Sequence, residues 1–191
     1  MSHRREGKEF ALHVLFVCTG NICRSPTAER LAAAYATKLG IADFQASSAG
    51  THAVIAHPIH PTAADVLEEL GGDASNFAAR QLTSKVVGDA DLVLTMTRAH
   101  RDTVLQLVPR QLHRTFILSE AGRLASAGSA RTIADLAALR PHLAADEPPD
   151  IADPLGQSVE SFAIVGAQIA KLLPPILELC RTEWYAPSHG T

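Results

Sequence analysis

Cysteine is scarce in this chain: Cys18, Cys23 and Cys180 are the only three in 191 residues. Three thiols do not make the disulfide framework of a small secreted domain. Charge of one sign is not in excess either. The formal net charge is −3, and no basic block stands anywhere in the chain. That disfavours nucleic acid and membrane surfaces as partners. Long hydrophobic runs are missing from the N-terminal part. The first apolar run, Phe10 to Val17, is too short to cross a bilayer, and the residues before it are charged, unlike a secretory signal. These absences lead to the expectation of a cytoplasmic, reducing location with free thiols. No internal repeat or linker divides the chain, and its length fits one domain. With 47% hydrophobic and 19% charged residues, it can fill a core.

What is present is an alternation of apolar runs and helical patterns. Leu12 to Val17 is a nearly continuous apolar run with β-branched and aromatic members, which predicts a strand buried on both faces. Thr27 to Leu39 reads as a helix, with Ser25 as a possible cap, Pro26 in its first turn and Gly40 as its stop. Further strands are expected at Phe44 to Ser48, Asp91 to Met96 and Arg114 to Leu118. Helices are expected at Thr62 to Leu70, after Thr83, at Arg98 to Val108, Glu120 to Ala125, Thr132 to Leu139 and Val159 to Cys180. The last of these could bend at Pro174-Pro175. Asp146 to Pro154, rich in proline and acid, reads as an exposed loop. The pattern predicts an α/β three-layer sandwich: a four-stranded, mostly parallel sheet with helices on both faces. The domain is expected over residues 10–181, with loose tails at 1–9 and 182–191.

The stretch with the most chemistry joins the first strand to the first helix: Cys18-Thr19-Gly20-Asn21-Ile22-Cys23-Arg24-Ser25-Pro26. A short loop ending at a helix N-terminus offers converging N–H groups and the positive end of a dipole, which suits a phosphoryl group. Gly20 permits close backbone approach. Arg24 can hold two phosphate oxygens with one planar fork. A thiol inside such a ring of donors is expected to have its thiolate stabilised and its pKa lowered. The Ser25 hydroxyl can donate to that sulfur, and Asn21 reads as a residue that holds the loop open. Taken alone, a cysteine after an apolar strand is as readily a core residue. The order strand, thiol, Gly, Asn, Arg, Ser-Pro, helix is what favours phosphate chemistry.

This stretch resembles the signature of the low-molecular-weight protein tyrosine phosphatases. The likeness continues through Ser48-Ala49-Gly50-Thr51, Ala79-Arg80-Gln81-Leu82-Thr83 and Ala90 to Met96, and on to Asp153-Pro154, over about residues 12 to 180. The resemblance implies a two-step, metal-free mechanism with no cofactor. Cys18 attacks phosphorus, and Arg24 with the loop amides binds the oxygens. Asp153 protonates the leaving oxygen and later activates water, with a phosphocysteine between the two steps. A bell-shaped, mildly acidic pH dependence is expected. Thr19, Gly20, Asn21, Ile22, Cys23, Ser25 and Ser48 would bind phosphate or support the loop. His52, Val54 and Leu155 would wall the substrate cleft. Taken alone, Asp153 has rivals in Asp146, Glu147 and Asp150. The implied partners are phosphotyrosine-containing proteins, with phosphate or another oxyanion at the loop, and the protein is expected to act as a monomer or weak dimer.

Several features depart from the family pattern. Leu155-Gly156 follows Asp153-Pro154 where aromatic residues often stand. Phe77 takes a position where relatives often have a loop-supporting His. Residues 127–149 look like an insertion near the rim of the site. A protein-arginine phosphatase branch shares the scaffold and carries Thr where this chain has Ile22, so phosphotyrosine is placed first and phosphoarginine second. Cys23 is either a small buried side chain or a thiol able to pair with Cys18. His52, His57 and His60 match no familiar metal-ligand spacing. Arsenate reduction would need further cysteines near residues 97–102, which are absent. A non-catalytic phosphoprotein-binding module would be expected to lack Cys18, Arg24 or Asp153, and all three are present.

Overall fold

A computed structural model describes residues 12–143 and 149–185, with side chains to 181. Strand β1 (Leu12–Cys18) lies inside a four-stranded sheet with β2 (Phe44–Gly50), β3 (Leu92–Thr95) and β4 (Thr115–Ile117). The order is β2-β1-β3-β4, and every pairing is parallel. Being flanked on both edges and covered on both faces makes β1 apolar at successive positions. Its side chains divide by parity. Val14, Phe16 and Cys18 join the larger core, with Leu31, Phe116, Ile169 and Leu173. Leu15 and Val17 join a smaller one with Leu82, Val87, Val93 and Val104. Two cores on two sheet faces make three layers. Each fully buried Leu, Ile or Phe contributes about 1.5–3 kcal/mol of burial energy.

Helix α1 (Arg24–Lys38) starts before Thr27, and its N-cap position is Cys23, not Ser25. The Ser25 hydroxyl is already engaged by the neighbouring loop, so it does not cap. Gly40, at φ 65°, supplies the left-handed residue that ends the helix. Strand β2 continues past Ser48 to Gly50 because Cys18 pairs with Gly50 in register. Helix α2 (Pro61–Glu69) begins on a proline, and α3 (Ser84–Gly88) and α4 (Arg98–Leu107) are capped by the hydroxyls of Thr83 and Thr97. Helices α5 (Leu118–Ser126) and α6 (Ile133–Leu139) follow β4.

Helix α7 (Val159–Tyr185) is assigned as one helix through Pro174-Pro175. Ile176, Leu177 and Cys180 are buried just beyond the pair, and that packing offsets the backbone bonds two prolines remove. The tail expected from 182 is therefore helical as far as Tyr185; the tail at 1–9 lies outside the described residues. By length and composition α7 could cross a membrane. Here its buried side packs on α1, α2 and α5 as a core helix.

Residues 127–143 of the 127–149 stretch are anchored beside β4, and 144–148 lie outside the described residues. Arg140 donates to Glu120 Oε1 at 2.8 Å and to the carbonyls of Leu112 and Thr115, and its guanidinium lies 4.1 Å from the Phe116 ring centroid. That anchor runs along β4: Glu120 Oε2 also accepts the Ile117 N–H at 3.2 Å, and Thr115 stands level with Val93 and, through it, with Leu15. From β1 the chain goes to β2 on one side, then to β3 on the other. The reversal leaves a crevice at the C-terminal ends of β1 and β3, where sheets of this kind bind ligands.

Candidate active site

Cys18 is the last residue of β1 and Arg24 the first of α1. The five residues between them turn tightly, and Asn21 takes a left-handed φ of 56°, a conformation Asn tolerates better than most side chains. Asn21 is fully buried and every polar atom of its side chain is used. Its Oδ1 accepts from the Arg80 N–H at 2.9 Å; its Nδ2 donates to Ser25 Oγ at 2.9 Å and to Ser48 Oγ at 2.8 Å. The Arg80 N–H can only donate, so it fixes which end of the amide is oxygen. Ser25 Oγ lies 2.9 Å from Cys18 Sγ. Because Asn21 occupies Ser25 as an acceptor, the Ser25 O–H is free to donate to a thiolate. The Ser48 hydroxyl in turn donates to Glu29 Oε2. A chain of hydrogen bonds thus runs from a carboxyl on α1 to the sulfur on β1.

The outer side of the loop is held by backbone. The N–H groups of Thr51, His52 and Val54 donate to the carbonyls of Cys18, Thr19 and Gly20 at 2.9–3.0 Å, and the His60 N–H donates to that of Ile22 at 2.8 Å. With its carbonyls tied back, the loop leaves its amides for an anion. Val54 stands over Gly20, and both Val54 and Leu155 are substantially exposed, as is His52.

Arg24 is 4% exposed, and its two terminal nitrogens face the loop before α7. Nη1 donates to the Ile151 carbonyl at 3.0 Å, and Nη2 to Asp153 Oδ2 at 2.7 Å. Ile151 is fully buried, and its N–H donates to the Met96 carbonyl at the end of β3. Asp150, a rival for the acid, is instead held at Oδ1 by the N–H and guanidinium of Arg98. Asp146 and Glu147 lie outside the described residues. Burial, with Cys18 and Asp153 nearby, pushes the Cys23 thiol up to about 12, so it stays protonated beside the nucleophile. Among the described residues no three His, Cys, Asp or Glu side chains converge as metal ligands.

A thiol, a buried guanidinium and a carboxyl thus meet at one crevice around a ring of amides. A sequence model described as low molecular weight phosphotyrosine protein phosphatase matches residues 13–135. This chain belongs to that family. It is 36% identical over 107 residues to Etp, a low molecular weight protein-tyrosine-phosphatase of Escherichia coli strain K12, an alignment covering 56% of this chain and 69% of Etp. The structure of YwlE, an arginine phosphatase from Geobacillus stearothermophilus, matches with a TM-score of 0.72 at 27% identity, over 94% of this chain and 99% of that one. Vibrio vulnificus Wzb, in complex with benzylphosphonate, matches with a TM-score of 0.67 at 27% identity, over 87% of this chain and 97% of Wzb. The sequence match ends before Asp153 and α7. The structural matches extend over nearly the whole chain.

Three polar residues of this family member's site were not assigned such contacts in the sequence reading. Glu29 sits in the second turn of α1. It closes the Asn21–Ser48 chain directly, and burial raises its carboxyl pKa above the usual range. Phe77 does not enter this chain; its ring lies 5.6 Å from the Arg30 guanidinium. Arg80 orients Asn21 by its N–H and holds the Ser48 carbonyl with Nε at 2.8 Å. His100 contacts Thr19. Arg80 stood inside one of the segments that resemble the family, and His100 sits on the first turn after β3, the strand beside β1.

Proposed function

We propose that this protein hydrolyses phosphate monoesters on proteins, phosphotyrosine first, through a phosphocysteine. The observation that carries this reading is Arg24, buried at the mouth of the amide ring and shared between the loop of Cys18 and the loop of Asp153. A phosphoryl group entering the ring supplies oxygens for the Arg24 fork, displacing Asp153 from it. The released carboxyl then faces the ester oxygen. Sγ of Cys18 attacks phosphorus, the P–O ester bond breaks, and the Asp153 proton goes to the leaving oxygen. In the second step Asp153 takes a proton from water and the water oxygen attacks phosphorus. The S–P bond breaks, inorganic phosphate leaves, and Ser25 stabilises the departing thiolate.

Ile22 is half-buried near Gly20, where Val54 also stands, and the exposed His52 and Leu155, two residues from Val54 and Asp153 respectively, would complete a wall around the opening. An apolar rim of this kind suits an aromatic ring. Phosphoarginine is the second reading, motivated by the likeness to an arginine phosphatase, against which a bulky Ile22 would crowd a guanidinium. The partners are phosphoproteins, and a cytoplasmic setting suits a nucleophile, Cys18, that must stay a reduced thiol. The test compares turnover of phosphotyrosine, phosphoserine and phosphoarginine peptides, with Cys18→Ser and Asp153→Ala as controls. Phosphotyrosine should be fastest, Cys18→Ser inactive, and Asp153→Ala slower by about 10²–10⁴-fold. Faster phosphoarginine turnover overturns the substrate assignment, and full activity of Asp153→Ala overturns its role as the acid.

A further inference from the structure

The reaction outlined above gives no task to His100, which is 6% exposed on the first turn of α4. Its ring bridges two hydroxyls. Nε2 lies 2.8 Å from Thr19 Oγ1, and Nδ1 lies 2.9 Å from Thr97 Oγ1. The order of protons follows from the helix cap. Thr97 Oγ1 already accepts the N–H of His100 at 3.2 Å, so its own hydrogen is available to Nδ1. A neutral ring then carries its hydrogen on Nε2 and donates it to Thr19. Burial, with the Arg24 charge nearby, lowers the His100 pKa to about 4, which keeps the ring neutral where the enzyme would work. Thr19 Oγ1, once occupied as an acceptor, has its hydrogen left over. Thr19 follows Cys18 directly and is exposed at the opening of the amide ring.

The same turn also holds the loop of the acid. The Met96 carbonyl takes the Ile151 N–H, and Arg98 holds Asp150. His100 therefore ties the nucleophile's loop to the segment on which Asp153 is mounted. The partners are 81 positions apart in sequence.

We propose that His100 is a positioning residue: it orients the Thr19 hydroxyl as a donor to the phosphoryl group at Cys18, through the Thr97–His100–Thr19 bridge. This rests on the phosphatase reading. The added content is that the loop has a side-chain donor besides Arg24, and that its direction is set from α4. The donor helps most when charge builds on the phosphoryl oxygens, so its removal lowers kcat more than it raises KM.

The experiment measures kcat and KM on p-nitrophenyl phosphate, and inhibition by orthovanadate, for the full chain and four variants. Thr19→Val removes the hydroxyl at an exposed site and keeps the shape. His100→Leu removes both ring bonds. His100→Gln keeps an amide donor able to reach Thr19. The fourth combines Thr19→Val with His100→Leu. The expected loss in kcat is about 10-fold for each single removal, the energy of one ordered hydrogen bond. The double variant should lose no more than about 10-fold, since both changes break one bridge. His100→Gln should return to within about 3-fold of the unmodified protein, and vanadate should weaken in parallel with kcat. Wild-type kcat in Thr19→Val, multiplying losses in the double variant, or a His100→Gln as slow as His100→Leu would each overturn the proposal. If His100→Leu does not fold, Thr19→Val and His100→Gln still decide it. An unmodified protein without turnover would remove the phosphatase reading and this proposal together. An active one with an indifferent Thr19 would remove only the second.

Discussion

Asn21→Asp is the sharpest perturbation of this site, because it keeps the shape of the side chain and reverses its chemistry. Asp tolerates the left-handed φ of 56° at this position nearly as well as Asn, so backbone strain is not the variable. One carboxylate oxygen still accepts from the Arg80 N–H. The other replaces Nδ2, and two donors to Ser25 and Ser48 become one acceptor. Both hydroxyls then turn toward the new carboxylate, and two buried acceptors lose a donor. Glu29 loses Ser48, and Cys18 loses Ser25. A buried bond to a charged group is worth about 1.5–3 kcal/mol, so the variant should lose about 3–5 kcal/mol of stability, part of it returned by the new bonds. The lost donor at sulfur should lower kcat by about 10–100-fold. The assay is turnover of p-nitrophenyl phosphate beside urea unfolding. Ser48→Ala is the companion. It leaves one Asn21 N–H unpaired and takes the Ser48 donor from Glu29, but keeps Ser25 on the sulfur, so it should cost about 2–4 kcal/mol with kcat little changed. Asn21→Asp with wild-type kcat and an unchanged urea midpoint would refute the hydrogen-bond order assigned here.

Three more outcomes follow from the packing around the site. His100 has a folded pKa of about 4 against 6.5 for a free His; the folded form binds fewer protons, so its contribution is present above pH 6.5 and lost as pH falls toward 4. The change between about pH 7 and about pH 4.5 is about 2 kcal/mol, read as the stability of the wild type minus that of His100→Gln in urea at the two pH values. A pH-independent difference would contradict it. Gly50→Ala puts a methyl against the Thr19 carbonyl and 3.0 Å from Ala53 Cα, so it should destabilise by about 1–3 kcal/mol and slow turnover, because the loop carbonyl must move. Arg140→Leu removes the charge partner of the buried Glu120 carboxylate beside β4, leaving it the Ile117 N–H. It should cost about 3–5 kcal/mol while kcat per folded molecule stays the same, which unfolding curves and active-site titration together would show.

Local features were the legible ones. The unbroken apolar run Leu12 to Val17 announced a strand flanked on both sides, and the spacing Cys18 to Arg24 announced the loop. Gly40 and Thr83 marked a helix end and a helix start for reasons internal to a few residues. Boundaries set by tertiary contacts were missed. Helix α1 starts at Arg24 because the loop draws Ser25 inward, and α7 carries through Pro174-Pro175 because Ile176, Leu177 and Cys180 are buried. The role of the 127–149 stretch was not legible: residues 127–143 are tied to β4 by Arg140 through bonds to residues 20 to 28 positions earlier, while the Pro149 carbonyl accepts from Ser119 one residue before Asp150.

The sequence by itself determined the kind of chemistry: a thiol and a guanidinium at two ends of one short loop, within the reach of local backbone geometry. Only the tertiary structure decided what surrounds them. Asp153 reaches Arg24 across 129 positions, and it is β3 that supports its loop, through the Met96 carbonyl. Glu29, Ser48 and Arg80 come from α1, β2 and the segment before α3, yet they set one hydrogen-bond order at Cys18. A hydrogen bond depends on a few tenths of an ångström and on which atom carries the proton. Neither is written in the spacing of residues along a chain; both are settled when the parallel sheet brings the ends of β1 and β3 side by side.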